Sequence, residues 1–291
     1  MNELDAIVQA RRLISETGID EIPVDINKLL SKVDAVLRPR SDLREDESGH
    51  TMEVGGVQYI VVNSNHSIER QRFTILHEVA HIVLKLPSQH ESTSLGQIFG
   101  GNSGRPREEI ICDLFAAECL LPKIFFESDV ENVSATFSDV RELSDKYLAS
   151  VHCTASRLVD HIDEPCSFVF SSAGVVRFAR ASAAMRESGG FVEIGKSLPK
   201  DTVAWKLRNE RQLEEEGDSR PASEWFDNQK LAAATVYEES IFLSSWDQTL
   251  TLLSDLDVDE EEKRADSWDD EEPALRELDG RLPWPGKSRR R

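Results

Sequence analysis

The sequence predicts an α+β protein: mainly helical at first, with one small β-sheet, then a pair of short helices, then a mixed α+β C-terminal portion. Three observations carry this. Apolar residues recur at helical spacing in long stretches before Pro122. Two short runs between them, VDAVLRPR and VGGVQYIVVNS, are bounded by turn residues and read as strands. From Pro165 the pattern changes to short alternating segments.

Taken in order, residues 3–17 read as a helix, with Leu4, Ile7, Val8, Ala10, Leu13 and Ile14 recurring at helical spacing. TGIDEIPVDINKLLSKV gives turn residues around a proline and then a second short helix. VDAVLRPR is a strand, and SDLREDESGHTME is a polar loop. VGGVQYIVVNS is a strand, with Gly55-Gly56 as a turn before it and Asn63-Ser64-Asn65 after it. SIERQRFTILHEVAHIVLKL is a long helix stopped near Pro87. SQHESTSLGQIFGGNSGRP is loop-like. RPREEIICDLFAAECLLP is a helix with Pro106 near its start and Pro122 after its end. FSDVRELSDKYLASVHCTASRLVDHI gives two short helices broken near Ala149-Ser150. Beyond Pro165, SFVFSS, VVRFAR, GGFVEI and ATVYEES read as strands, and SSWDQTLTLLSDL as a strand or a short helix. This divides the chain into residues 1–125, a helical segment 126–163, an α+β domain 164–256 and an acidic tail 257–291.

Charge and composition narrow the function. With 291 residues and 39% hydrophobic content the chain can build a sizeable core. A formal net charge of −20 argues against nonspecific binding to nucleic acid or to an anionic membrane. Much of the acid lies in DLDVDEEEKRADSWDDEEPALRELD, a solvated tail that turns basic at GKSRRR, or else an acidic arm for a basic partner. No apolar run approaches the roughly 20 residues of a membrane helix, and the N-terminus has no apolar signal region. Cys112, Cys119, Cys153 and Cys166 form no CxxC, as expected of reduced, buried thiols in a cytoplasmic protein.

The stretch FTILHEVAHIVL carries the chemistry. His77 and His81 are four apart and share one helical face, where two imidazoles can hold one zinc ion. Glu78 is too close in sequence to be a third ligand on that helix, and suits a general base acting on a water. The flanking Phe73, Ile75, Leu76, Val79, Ala80, Ile82, Val83 and Leu84 leave little polar face, so an ordinary surface role does not explain the histidines. In the next helix Glu109 and Asp113 are also four apart. Glu109 is the expected third ligand, and Asp113 the carboxylate that accepts the second N–H of His77 or His81. Glu108 reads as an ordinary acid at a helix N-terminus. His50, His66 and His90 fall in loops or at element ends; His152 and His161 fall in the paired short helices. Any of these, or Tyr59, could serve as a transition-state donor, but no spacing selects one. The strand VQYIVVN precedes the active helix and could offer its edge to an extended peptide, which points to a polypeptide substrate.

RQRFTILHEVAH followed by EIICDLFAAECLLP resembles the ImmA/IrrE-type zinc metallopeptidases, as do the preceding IPVDINKLL and YIVVN, over roughly residues 5 to 162. The resemblance implies a zincin-like metallopeptidase domain with one Zn2+ held by His77, His81 and Glu109, and Glu78 as base. The family often has asparagine where this chain has Asp113, a change that would raise the ligand's basicity and tighten the metal. It implies an endopeptidase that cleaves a helix-turn-helix transcriptional repressor encoded nearby, in a stress-response or mobile-element circuit. It also implies a helix-turn-helix-like segment at 126–163 and a GAF-like sensory unit at 164–256. The few bases of that segment, Arg141, Lys146 and Arg157 against four acids, favour packing over DNA binding. The alternative is a non-proteolytic module that sequesters a repressor or toxin around a structural metal. A structural zinc ordinarily has four closed ligands, and three are found.

Overall fold

The computed structural model describes residues 2–87, 106–131, 133–211 and 214–258. Helix α1 (Glu3–Glu16) begins with a reciprocal cap: Asn2 accepts from the Asp5 N–H while Asp5 accepts from the Asn2 N–H. Helix α2 (Ile26–Lys32) is capped by Asp25. Strands β1 (Ala35–Arg40), β2 (Gly49–Val54) and β3 (Val57–Asn63) form a sheet in the order β1-β3-β2. β1 runs parallel to β3 and β2 antiparallel to it. Gly55 and Gly56, at φ +62° and +79°, make the tight hairpin turn between β2 and β3.

Helix α3 (Ile68–Leu84) starts at Ser67, whose hydroxyl accepts from the Arg70 N–H, and ends at Lys85 in the left-handed conformation just before Pro87. It packs on the sheet through β2 and β3 and on α4 (Arg107–Leu120), which lies between Pro106 and Pro122. Helices α5 (Lys123–Val130), α6 (Phe137–Tyr147) and α7 (Val151–Val159) follow. The chain breaks between α6 and α7 at Leu148, φ +49°. Fully buried Glu118 of α4 ties four helices together. It accepts from Arg11 of α1 at 2.9 Å, from Arg157 of α7 and from the Lys123 N–H that opens α5. A carboxylate can sit there because its oxygens are met by charged and backbone donors.

The residues around 163 lead from α7 into a second, five-stranded antiparallel sheet of order β5-β4-β8-β7-β6. Its strands are β4 (Ser167–Ser172), β5 (Val175–Ala181), β6 (Glu215–Pro221), β7 (Thr235–Leu243) and β8 (Gln248–Asp257), with the short helices α8 (Ala183–Glu187) and α9 (Val203–Glu210) between them. One apolar core runs from Ala6 of α1 through Leu76, Phe115, Phe126 and Phe137 to Phe168 and Leu252 of this sheet.

The fold is α+β, as expected, with local differences. The polar loop over 41–53 contains β2, because Thr51 faces inward while Met52 and Val54 stay exposed and the sequence shows no inward apolar residue. VQYIVVN is the middle strand of its sheet, so its edges are taken; the outer position next to α3 belongs to β2. GGFVEI is not a strand. The loop closes the outer edge of β5 through Gly195 N–H to Val176 O and Val176 N–H to Lys196 O, and leaves Phe191 and Ile194 exposed. The alternatives for SSWDQTLTLLSDL resolve to β8, after a single 3-10 turn at Ser244–Trp246. Helix α5 and strand β6 lack a sequence signal: α5 is a short continuation past Pro122, and β6 is an exposed acidic edge. The loop expected over 88–105 and the acidic tail expected beyond 258 lie outside the described residues.

Candidate metal centre

Two helices build the site, each contributing a pair four residues apart. On α3 the pair is His77 and His81; on α4 it is Glu109 and Asp113. The Nε2 atoms of His77 and His81 are 3.1 Å apart. Glu109 Oε2 lies 3.1 Å from His77 Nε2, and Glu109 Oε1 lies 3.6 Å from His81 Nε2. The candidate ligand atoms of these three residues all fall within 4.8 Å of one another.

The imidazole tautomers follow from what the outer nitrogens touch. His77 Nδ1 is 2.9 Å from Asp113 Oδ1, and His81 Nδ1 is 3.4 Å from the Leu86 carbonyl. A carbonyl can only accept, so His81 Nδ1 carries a proton; the Asp113 carboxylate holds one on His77 Nδ1. Both Nε2 atoms are then turned to the same point. Two nitrogens about 2 Å from a tetrahedral ion would stand about 3.3 Å apart, close to the 3.1 Å seen. The donor set of two imidazoles and one carboxylate, with carboxylate support behind His77, fits a zinc-type ion.

The electrostatics agree. Burial works against a charge on His77, but contacts with Asp113 and Glu109 outweigh it and raise its pKa to about 10. Burial lowers the pKa of His81, and the adjacent positive His77 lowers it further. Glu78 is buried beside His77, and one of its carboxylate oxygens, Oε2, accepts a hydrogen bond from the Thr51 hydroxyl on β2. Sequence reading did not single out Thr51; the two residues are 27 apart and meet only because β2 packs on α3.

The other candidates lie elsewhere. His50 Nδ1 is 3.1 Å from Glu47, and His66 Nε2 is 3.0 Å from the Glu45 carbonyl. His152 is enclosed by Phe168, Phe170 and Phe178, and His161 packs on Phe126. Tyr59 on β3 lies beneath the Arg38 guanidinium. His90 is outside the described residues. The four cysteines are buried and free, and none joins a group of three possible metal ligands among the described residues.

Comparison with known proteins bears on this arrangement. No curated protein sequence matches the chain. Among solved structures, a Mycobacterium tuberculosis transcriptional regulator superposes with a TM-score of 0.57 at 14% identity, over 86% of this chain and 74% of that one, a likeness of fold. Residues 31–158 match the family model described as "Peptidase_M78: IrrE N-terminal-like domain", a span that runs from the end of α2 into α7 and holds every residue of the candidate site. Over that span the chain matches an IrrE N-terminal-like domain, in agreement with the ImmA/IrrE-type metallopeptidases whose motifs its sequence resembles.

Proposed function

We propose that the protein is a zinc-dependent endopeptidase that cleaves a helix-turn-helix transcriptional repressor in a stress-response or mobile-element circuit. One observation carries the reading: His77, His81 and Glu109 converge on one point, with Glu78 buried on the same helix beside them. His77, His81 and Glu109 are the ligands in this reading, and Asp113 orients His77. A zinc ion held there supplies a Lewis acid for the scissile carbonyl and lowers the pKa of a water to about 7.

The chain's own part in the chemistry is proton handling. Glu78 takes a proton from the attacking water as the new C–O bond forms. It returns that proton to the amide nitrogen as the C–N bond breaks, so its charge is restored at the end of the cycle. The outer position of β2, beside α3, suits an extended polypeptide that adds as a further strand. A protein substrate, rather than a nucleic acid or a membrane, also accords with the net charge of −20. No helix among the described residues is long and apolar enough to cross a membrane. A repressor substrate would place the reaction in the cytoplasm. The five-stranded sheet within 164–256 is the candidate sensory unit of this reading. The likeness of fold to a Mycobacterium tuberculosis transcriptional regulator accords with a regulatory setting.

The test uses the zinc-loaded chain and the helix-turn-helix protein encoded beside it, with Glu78→Gln in parallel and intact mass spectrometry as readout. Two fragments with the wild type and none with Glu78→Gln are expected. An intact partner in both, held in a stable complex, would replace the peptidase by a module that sequesters its partner.

A further inference from the structure

The contact between Thr51 and Glu78 is set by the way β2 lies on α3. Along a helix, residues four apart are about 6 Å from each other in rise. Along a strand, residues two apart are about 6.6–6.8 Å from each other and point to the same face. Thr74 and Glu78 on α3 therefore match Gly49 and Thr51 on β2. Gly49 meets Thr74: a Cβ added to Gly49 would overlap the Val61 carbonyl oxygen and lie 2.8 Å from Thr74 Cγ2. The missing side chain lets β2 lie this close both to the backbone of β3 and to the helix. Two residues on, the same close approach puts the Thr51 hydroxyl on Glu78 Oε2. The register is locked from the other side by β3, where Thr51 pairs with Ile60 and Gly49 with Val62, both buried beneath α3.

We propose that Thr51 is a positioning residue for Glu78, acting from the outer strand beside the active helix. This inference rests on the peptidase reading of the site. Glu78 has two carboxylate oxygens and needs one of them for the proton of the attacking water. The Thr51 hydroxyl occupies Oε2, so the carboxylate is held in one orientation and Oε1 is the oxygen left for proton transfer. The Thr51 hydroxyl donates to Glu78, which is not a ligand in this reading, so its effect is expected to run through Glu78 and not through metal retention. The hydroxyl also links two tasks. The strand that would receive an extended substrate is the strand that orients the base, so a displacement of β2 on substrate docking would reach Glu78 directly.

The experiment compares Thr51→Val, which keeps the shape and removes the donor, with Thr51→Ser, which keeps the donor. Three quantities are read on the zinc-loaded full chain. The first is zinc stoichiometry. The second is the kcat and KM for the helix-turn-helix protein encoded beside it. The third is the isotope-edited infrared carboxylate band of Glu78, taken as the difference from the matching Glu78→Gln double variant. Thr51→Val is expected to retain zinc and KM, to lose about tenfold or more in kcat, and to shift the Glu78 carboxylate band. Thr51→Ser is expected to restore both. Undiminished kcat in Thr51→Val, or an unmoved band, would overturn the positioning role while leaving the peptidase reading intact. Loss of zinc or of fold in Thr51→Val without rescue by Thr51→Ser would make Thr51 a packing residue and overturn the role as well. No cleavage by the wild type would overturn the peptidase reading, and this inference with it.

Discussion

His152→Phe should flatten the acid side of the stability curve. His152 stands on α7 with the rings of Phe168, Phe170 and Phe178 at 4.9, 5.2 and 5.9 Å. Burial, aided by the Arg180 guanidinium, lowers its pKa from 6.5 to about 3. Above pH 6.5 the imidazole is neutral in both folded and unfolded chains and has no effect on their balance. As pH falls below 6.5 the unfolded chain takes up a proton and the folded chain does not, so stability falls until the folded pKa is reached. Each pH unit in that window is worth about 1.4 kcal/mol, which gives a loss of about 2 kcal/mol at pH 5 and about 3–4 kcal/mol at pH 4. Phenylalanine cannot titrate. The larger ring adds a pH-independent cost of about 1–3 kcal/mol, which shifts the whole curve without changing its slope. The assay is urea unfolding of both proteins between about pH 7 and pH 4. The difference in slope is the quantity of interest, because every other titrating group cancels in it. Parallel curves over that range would refute the argument and would mean that water or a local opening reaches His152 in the folded state.

Two further outcomes follow from single side chains. Glu118→Gln should cost about 3–5 kcal/mol and lower Tm, because Arg157 is left without its buried anionic partner where four helices meet; calorimetry of the metal-free chain reads this, and a loss below about 1 kcal/mol would make the network a surface-like pair. Gly49→Ala should cost about 1–3 kcal/mol by forcing β2 away from the Val61 carbonyl of β3 and from Thr74 of α3, and should shift the Glu78 carboxylate band in the same sense as Thr51→Val. An unchanged band with full stability would show that β2 tolerates a side chain there.

The parts of the site that lie on single helices were legible in the sequence. His77 with His81, and Glu109 with Asp113, are spaced so that helix geometry alone brings each pair to one face. An apolar helix with three ionisable groups also announces that something must satisfy them. What joins the two helices was legible through the third ligand and supporting carboxylate that such a site needs, and through the resemblance, since no spacing rule places α4 against α3. Thr51 was hidden because its contact is made by packing, and its strand carries a polar residue inward where the strand pattern asks for an apolar one. Strand β6, EEGDSRP, was hidden for a different reason. It is an exposed edge whose hydrogen bonds to β7 are all backbone, so its side chains record nothing about the sheet. Glu118 lies in an apolar helical run that gave no hint of Arg11 or Arg157, which reach it from 107 and 39 residues away.

The same geometry sets how the site exchanges protons for an ion. Glu78, Glu109 and Asp113 bring three carboxylates around two imidazoles in a largely buried volume. His77 answers that charge by holding a proton up to about pH 10, despite burial, through Asp113 and Glu109. His81 is pushed the other way, by burial and by His77, so His77 is the imidazole that competes for the proton. An ion entering between the two Nε2 atoms must therefore displace one proton, and its apparent affinity should rise about tenfold per pH unit below that pKa. Calorimetric titration of zinc at about pH 6, in buffers of different ionisation enthalpy, counts the proton; at that pH a zinc-held water, with a pKa of about 7, contributes little. About one proton released is expected. Asp113→Asn keeps an oxygen acceptor for His77 Nδ1 but removes the negative charge, so it should release less than one and weaken the pH dependence. Equal release by Asp113→Asn and wild type would place the charge compensation on Glu109 alone, and no release by the wild type would refute the argument that the carboxylates hold a proton in the ion's place.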